Sequence, residues 1–189
     1  ESASSNMVAE TVLVSDTGIG ETLTQSALDL VGGVAIAQWS DALGEGDPRL
    51  ASLSDIRITV ADLEGDALRY FDGANIVVDV TAAGHGWFVD ATPADSAEYS
   101  LRLDRNVIVA DSASAAFGRM DLLTVMTHEL GHAIGFVDNE PGHAVMDEDL
   151  EAGVRYLLDK VGFDADPDRP ISDAALIQLA AKAARLESA

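Results

Sequence analysis

Cysteine is absent from this 189-residue chain, which excludes a disulfide framework and leaves no thiol of its own to act as an inhibitory metal ligand. Basic residues are scarce: 11 Lys and Arg face 33 Asp and Glu, for a net charge of −22. A field of that sign repels polyanions, so nucleic-acid binding through phosphate contacts is excluded. No apolar run is long enough to span a bilayer, and membrane insertion is not expected. The N-terminus lacks a basic, apolar leader and begins at Glu1, as expected of a domain excised or processed from a larger multidomain protein whose secretion signal lies elsewhere.

What is there suits a folded globule. Hydrophobic residues make up 48% of the chain, and its length fits one domain with a substantial core. Residues 1–10 are Ser-rich and aperiodic and are expected to be flexible; residues 11–189 form the single expected domain, with an upper lobe 11–135 and a lower lobe 136–189. Residues 11–14 read as a short strand. Residues 21–43 read as a long helix with Leu23, Ala27, Leu30, Val31, Val34, Ala35 and Trp39 toward the core, weakened in its middle by Gly32-Gly33. The β-branched runs 56–60, 75–80 and 106–110 read as strands. Residues 84–89 are expected to be an edge strand, to which an extended peptide would add through main-chain hydrogen bonds. Residues 150–161 and 172–186 read as helices, and the fold class is α+β.

One segment carries chemistry. Residues His128-Glu129-Leu130-Gly131-His132-Ala133-Ile134-Gly135-Phe136-Val137-Asp138 read H-E-x-x-H-x-x-G-x-x-D, with Met146 eight residues further on. His128 and His132 are four residues apart and share a helical face, so two imidazoles can grip one metal ion. Glu129 is placed to take a proton from an attacking water and pass it to a leaving amine. Gly135 can enter the left-handed conformation and end the helix. The extended chain beyond it reaches about 10 Å, enough to return Asp138 as a third ligand. A carboxylate is a legitimate zinc ligand, and three protein ligands plus water is the pattern of a catalytic site.

His143, which Pro141-Gly142 can turn inward, is the alternative third ligand. His85 has no clustered partners and reads as an exposed polar residue. Asp121 fits the N-cap of the motif helix, and Leu122, Leu123, Val125, Met126, Leu130, Ala133 and Ile134 give it a broad apolar surface.

On these residues the chain resembles the metzincin clan of zinc metallopeptidases, whose signature joins an extended zinc helix to a methionine-containing turn. The matching positions are His128, Glu129, His132, Gly135, Asp138 and Met146. Most metzincins carry histidine where this chain has Asp138, and the snapalysin-like branch carries aspartate. The tyrosine that some metzincins place just past the methionine is missing, since Asp147 and Glu148 follow Met146. Residues 86–93 are similar to a segment of matrixin-like domains in very large secreted or cell-surface bacterial proteins. The resemblance covers residues 11–160.

The resemblance implies a twisted mixed sheet of about five strands, a long backing helix, an active-site helix and a smaller, mostly helical C-terminal lobe. Met146 would form a hydrophobic floor beneath the metal. The implied activity is that of a zinc-dependent endopeptidase acting outside the cell on protein or peptide substrates. His128, His132 and Asp138 would hold the zinc, with Glu129 as general base. The alternative is a non-catalytic, metal-stabilised module of a large bacterial surface protein, against which the intact Glu129 argues. The acidity also has two readings. One is a solvated, solubilising surface; the other is Ca2+ binding by Asp164, Asp166 and Asp168 or by Asp90 and Asp95, although neither group has EF-hand spacing.

Overall fold

In the computed structural model of the chain, residues 22–158 are described. The expected elements at 11–14 and 172–186, the segment 1–10, and Asp164, Asp166 and Asp168 lie outside them. The α-helices are α1 (Gln25–Leu43) and α2 (Leu122–Ala133). The strands are β1 (Arg57–Ala61), β2 (Arg69–Phe71), β3 (Asn75–Asp79), β4 (Trp87–Phe88), β5 (Leu101–Asp104), β6 (Val107–Val109), β7 (Met120–Asp121) and β8 (Val154–Tyr156). This is an α+β architecture, and among the described residues no helix is long and apolar enough to cross a membrane.

The helix expected over 21–43 begins at Gln25 because Thr24 caps it, its Oγ1 accepting from Ala27 N–H at 3.3 Å. Its buried stripe is Leu28, Val31, Gly32, Ala35 and Trp39. Leu30, expected inside, is instead exposed. Gly32 is buried because β1 and α2 close on it: a Cβ there would stand 3.4 Å from Ile58 Cδ1 and 3.8 Å from Met126 Cε. The glycine that weakens the helix is thus a point of close approach. Trp39 Nε1 donates to Thr127 O at 2.8 Å, fixing α1 across the middle of α2.

The three β-branched runs all form strands, but they do not join in one sheet of about five. β1 pairs in parallel with β3, and β2 lies antiparallel on the other side of β3. β4 pairs in parallel with β7, and β5, β6 and β8 form a third sheet in the order β5-β6-β8. The chain breaks out of the first sheet at residues 81–86, where Ala82, Ala83, Gly84 and Gly86 take positive φ. The edge strand expected at 84–89 therefore shrinks to β4. Trp87 and Phe88 are both buried, and Trp87 Nε1 donates to Asp79 O at 2.7 Å. His85 is exposed, as expected.

The larger correction concerns the lower lobe. Residues 150–158, read as part of a helix, contain β8 instead, and the helical content of residues 136–158 is a 3-10 turn at Ala144–Met146. Gly153 sits at φ 77°, which interrupts a helix, and a Cβ there would stand 3.1 Å from Gly118 N.

All three residues of β8 are buried, Arg155 among them. Arg155 Nε and Nη2 fork onto Asp121 Oδ2 and Oδ1, each at 2.9 Å, and Nη1 reaches Asp90 Oδ2 at 2.8 Å. The guanidinium lies 4.5 Å over the Tyr99 ring. Asp90 thus has an arginine partner, and Asp95 Oδ1 accepts from Ala97 N–H at 3.0 Å.

Candidate metal centre

α2 is fixed at both ends. Asp121 caps its start, Oδ2 accepting from Thr124 N–H at 3.2 Å. At its end, Gly135 takes φ 98°; its N–H donates to His132 O and that of Phe136 to Gly131 O, each at 3.0 Å. These closing bonds turn the chain back along the last helical turn. Asn139 N–H then donates to Met146 O at 2.7 Å, which ties the returning segment to the methionine turn.

The reversal brings three donor atoms together. Asp138 Oδ1 lies 3.3 Å from His128 Nε2 and 3.2 Å from His132 Nε2, and the two Nε2 atoms are 3.0 Å apart. A tetrahedral ion with bonds of about 2.0–2.1 Å separates its ligands by about 3.3–3.4 Å; the two edges to Asp138 come close to that spacing and the edge between the imidazoles, at 3.0 Å, is shorter.

The far side of each imidazole explains the orientation. His128 Nδ1 is 2.9 Å from Val145 O, and His132 Nδ1 is 3.0 Å from Phe136 O. A carbonyl only accepts, so each Nδ1 carries the hydrogen and each Nε2 presents its lone pair to the triangle. Lone pairs converging this closely repel one another unless a cation sits among them.

Glu129 is almost fully buried beside this triangle, its Oε1 3.7 Å from His128 Nε2. Donor atoms of His128, Glu129 and His132 also lie within 4.8 Å of one another, so two carboxylates are available to an ion. Asp138 Oδ1 is the nearer of the two to His128 Nε2, at 3.3 Å against 3.7 Å for Glu129 Oε1. Glu129 Oε1 already accepts from Arg69 Nε. Burial pushes the Glu129 carboxyl above the usual range, with the nearby Arg69 cation opposing that rise. Burial, reinforced by the same cation, pulls His128 down to about 4, so the ring is neutral near neutral pH.

Met146 is fully buried against α2 at Gly131. A Cβ at Gly131 would overlap Met146 Sδ and stand 3.0 Å from Trp39 Cζ2. The glycine inside the motif is therefore the seat of the methionine. His143 turns elsewhere: its ring stands edge-on to Phe136 at 5.5 Å, and its carbonyl accepts from Met146 N–H at 2.8 Å. It helps to build the turn.

Two residues beside the site escape the sequence reading. Arg69 reaches Glu129 and His128 from β2, and Phe71 on the same strand stacks on His132 at 6.4 Å between ring centroids. β2 holds only three residues, too few for periodicity to show. The usable signal was Asp72-Gly73 between two apolar runs, a hairpin turn in which Asp72 Oδ1 accepts from Ala74 and Asn75 N–H. Comparison of the chain with protein-family models and with curated proteins finds no match.

Proposed function

We propose that the chain is a zinc-dependent endopeptidase of metzincin type, with His128, His132 and Asp138 as metal ligands and Glu129 as general base. The observation that carries this reading is the triangle of donor atoms at 3.0, 3.2 and 3.3 Å, with both imidazoles held from behind by carbonyls. Zinc bound there would supply Lewis acidity, polarising a peptide carbonyl and the attacking water.

The chain's own residues supply the rest. The Glu129 carboxylate takes the proton of that water and hands it to the leaving amine, and a carboxyl raised by burial suits both directions of transfer near neutral pH. Asp138 keeps 46% of its side chain exposed, so the site opens on that side to a protein or peptide substrate. β2, an edge of its sheet, borders the histidines through Phe71 and offers main-chain groups to an extended substrate. The family resemblance points to an extracellular setting.

The test is zinc content and protein-substrate cleavage for the wild type and Glu129→Ala. Both should hold stoichiometric zinc. The wild type should lose cleavage on chelation and regain it with added zinc, and the variant should cleave about 10²–10⁴ times more slowly. Stoichiometric zinc without cleavage by the wild type would favour a metal-stabilised, non-catalytic module.

A further inference from the structure

Arg69 stands where its guanidinium and a metal ion make the same claim. Its Nη2 lies 2.8 Å from His128 Nε2, while its Nε donates to Glu129 Oε1. A guanidinium has only donors, and His128, whose Nδ1 hydrogen faces Val145 O, has one lone pair to offer at Nε2. That lone pair also points at His132 Nε2 and Asp138 Oδ1, at 3.0 and 3.3 Å. One lone pair cannot serve a guanidinium and a metal ion together, and two cations at such a separation repel.

The setting makes this claim strong. The Arg69 side chain is 21% exposed and that of Glu129 2%, so solvent and salt screen the pair little. Arg69 is anchored on β2, whose next inward neighbour, Phe71, packs on His132.

We propose that Arg69 is an internal competitor for the metal: it neutralises the ligand cluster of the metal-free chain, and metal uptake must displace it from His128. The inference rests on the metal reading above. It makes Arg69 a brake on zinc affinity, so that the chain would fill only where free zinc is sufficient to dislodge the guanidinium.

The experiment titrates the full metal-free chain with Zn2+ against a chromophoric chelator, for wild type, Arg69→Ala and Arg69→Gln. Both variants should bind zinc about tenfold or more tightly than wild type, the scale of a lost charge-assisted hydrogen bond. A wild-type measurement runs beside it, following the Arg69 Nε–H and Nη–H signals by 15N NMR. Zinc should shift them and speed their exchange with water. Equal or weaker zinc affinity in folded variants, or guanidinium signals that zinc leaves unmoved, overturns the competition alone. No zinc binding by any of the chains overturns the metal reading, and the competition with it.

Discussion

The two ends of α2 bury the same kinds of group and arrange them in opposite ways. At its start, Arg155 is matched by Asp121 and Asp90, with all three side chains no more than 2% exposed. Each of those carboxylates has a charged donor from the chain itself, and solvent has no access. At its end, two imidazole lone pairs and two carboxylates converge around a single guanidinium, that of Arg69, with Asp138 half open to water. A cluster whose donors and acceptors balance in a sealed place holds the scaffold together. One with excess acceptors and an open side is arranged to receive something.

Breaking the closed end should have the largest effect on the fold. Arg155→Met removes the shared cation and leaves two buried carboxylates without it, for an expected loss of about 3–5 kcal/mol in urea unfolding. Asp121 is also the cap of α2, so the loss should extend to the start of that helix. Any zinc affinity of the molecules that remain folded should change far less, because the proposed ligands sit at the other end. A destabilisation below about 1 kcal/mol would mean that the network is ornamental, since even an exposed pair reaches that value.

The seat of the methionine gives a smaller effect whose sign is diagnostic. Gly131→Ala should gain up to about 1 kcal/mol from helix propensity. The added Cβ, however, meets Met146 Sδ and Trp39 Cζ2, and overpacking of this kind costs about 1–3 kcal/mol. A net loss on thermal unfolding, partly recovered in Gly131→Ala combined with Met146→Val, is the expected outcome. A net gain in the single variant would show that Met146 moves aside freely and is not a fitted floor.

What the sequence made legible follows from how local each signal is. His128, Glu129, His132 and the Gly135 turn lie within one short run of chain, and the position of Asp138 follows from that turn. The β-branched strands and the Asp121 cap were equally local. Arg69 and Arg155 were not. Each is one basic side chain in an acidic protein, and its meaning lies in partners far along the chain, Glu129 for the first and Asp121 for the second. Leu150 to Leu158 misread as helix for the same reason: Arg155 looks like the polar face of a helix until its buried acids are known. Gly153 was the available warning.

A third way of burying a carboxylate sharpens the contrast and gives the smallest effect. Asp79 is 2% exposed and is held by backbone N–H groups and a hydroxyl. Its oxygens accept from Leu63 N–H, from Thr81 N–H and O–H, and from Ala83 N–H, each at 2.9 Å. Burial alone would raise its carboxyl; these four donors outweigh burial and hold it below its ordinary 3.8. A depressed folded value means that the charged form favours the native state. Its contribution is therefore complete above pH 3.8 and is lost as pH falls through the lower folded value. Asp79→Asn should be less stable than wild type near neutrality, because the amide cannot accept all four bonds, and its stability should fall less steeply with acid in that window. Parallel acid limbs in urea unfolding would show that Asp79 titrates alike folded and unfolded, leaving the positive-φ turn at Ala82 and Ala83 to be held by something other than its charge.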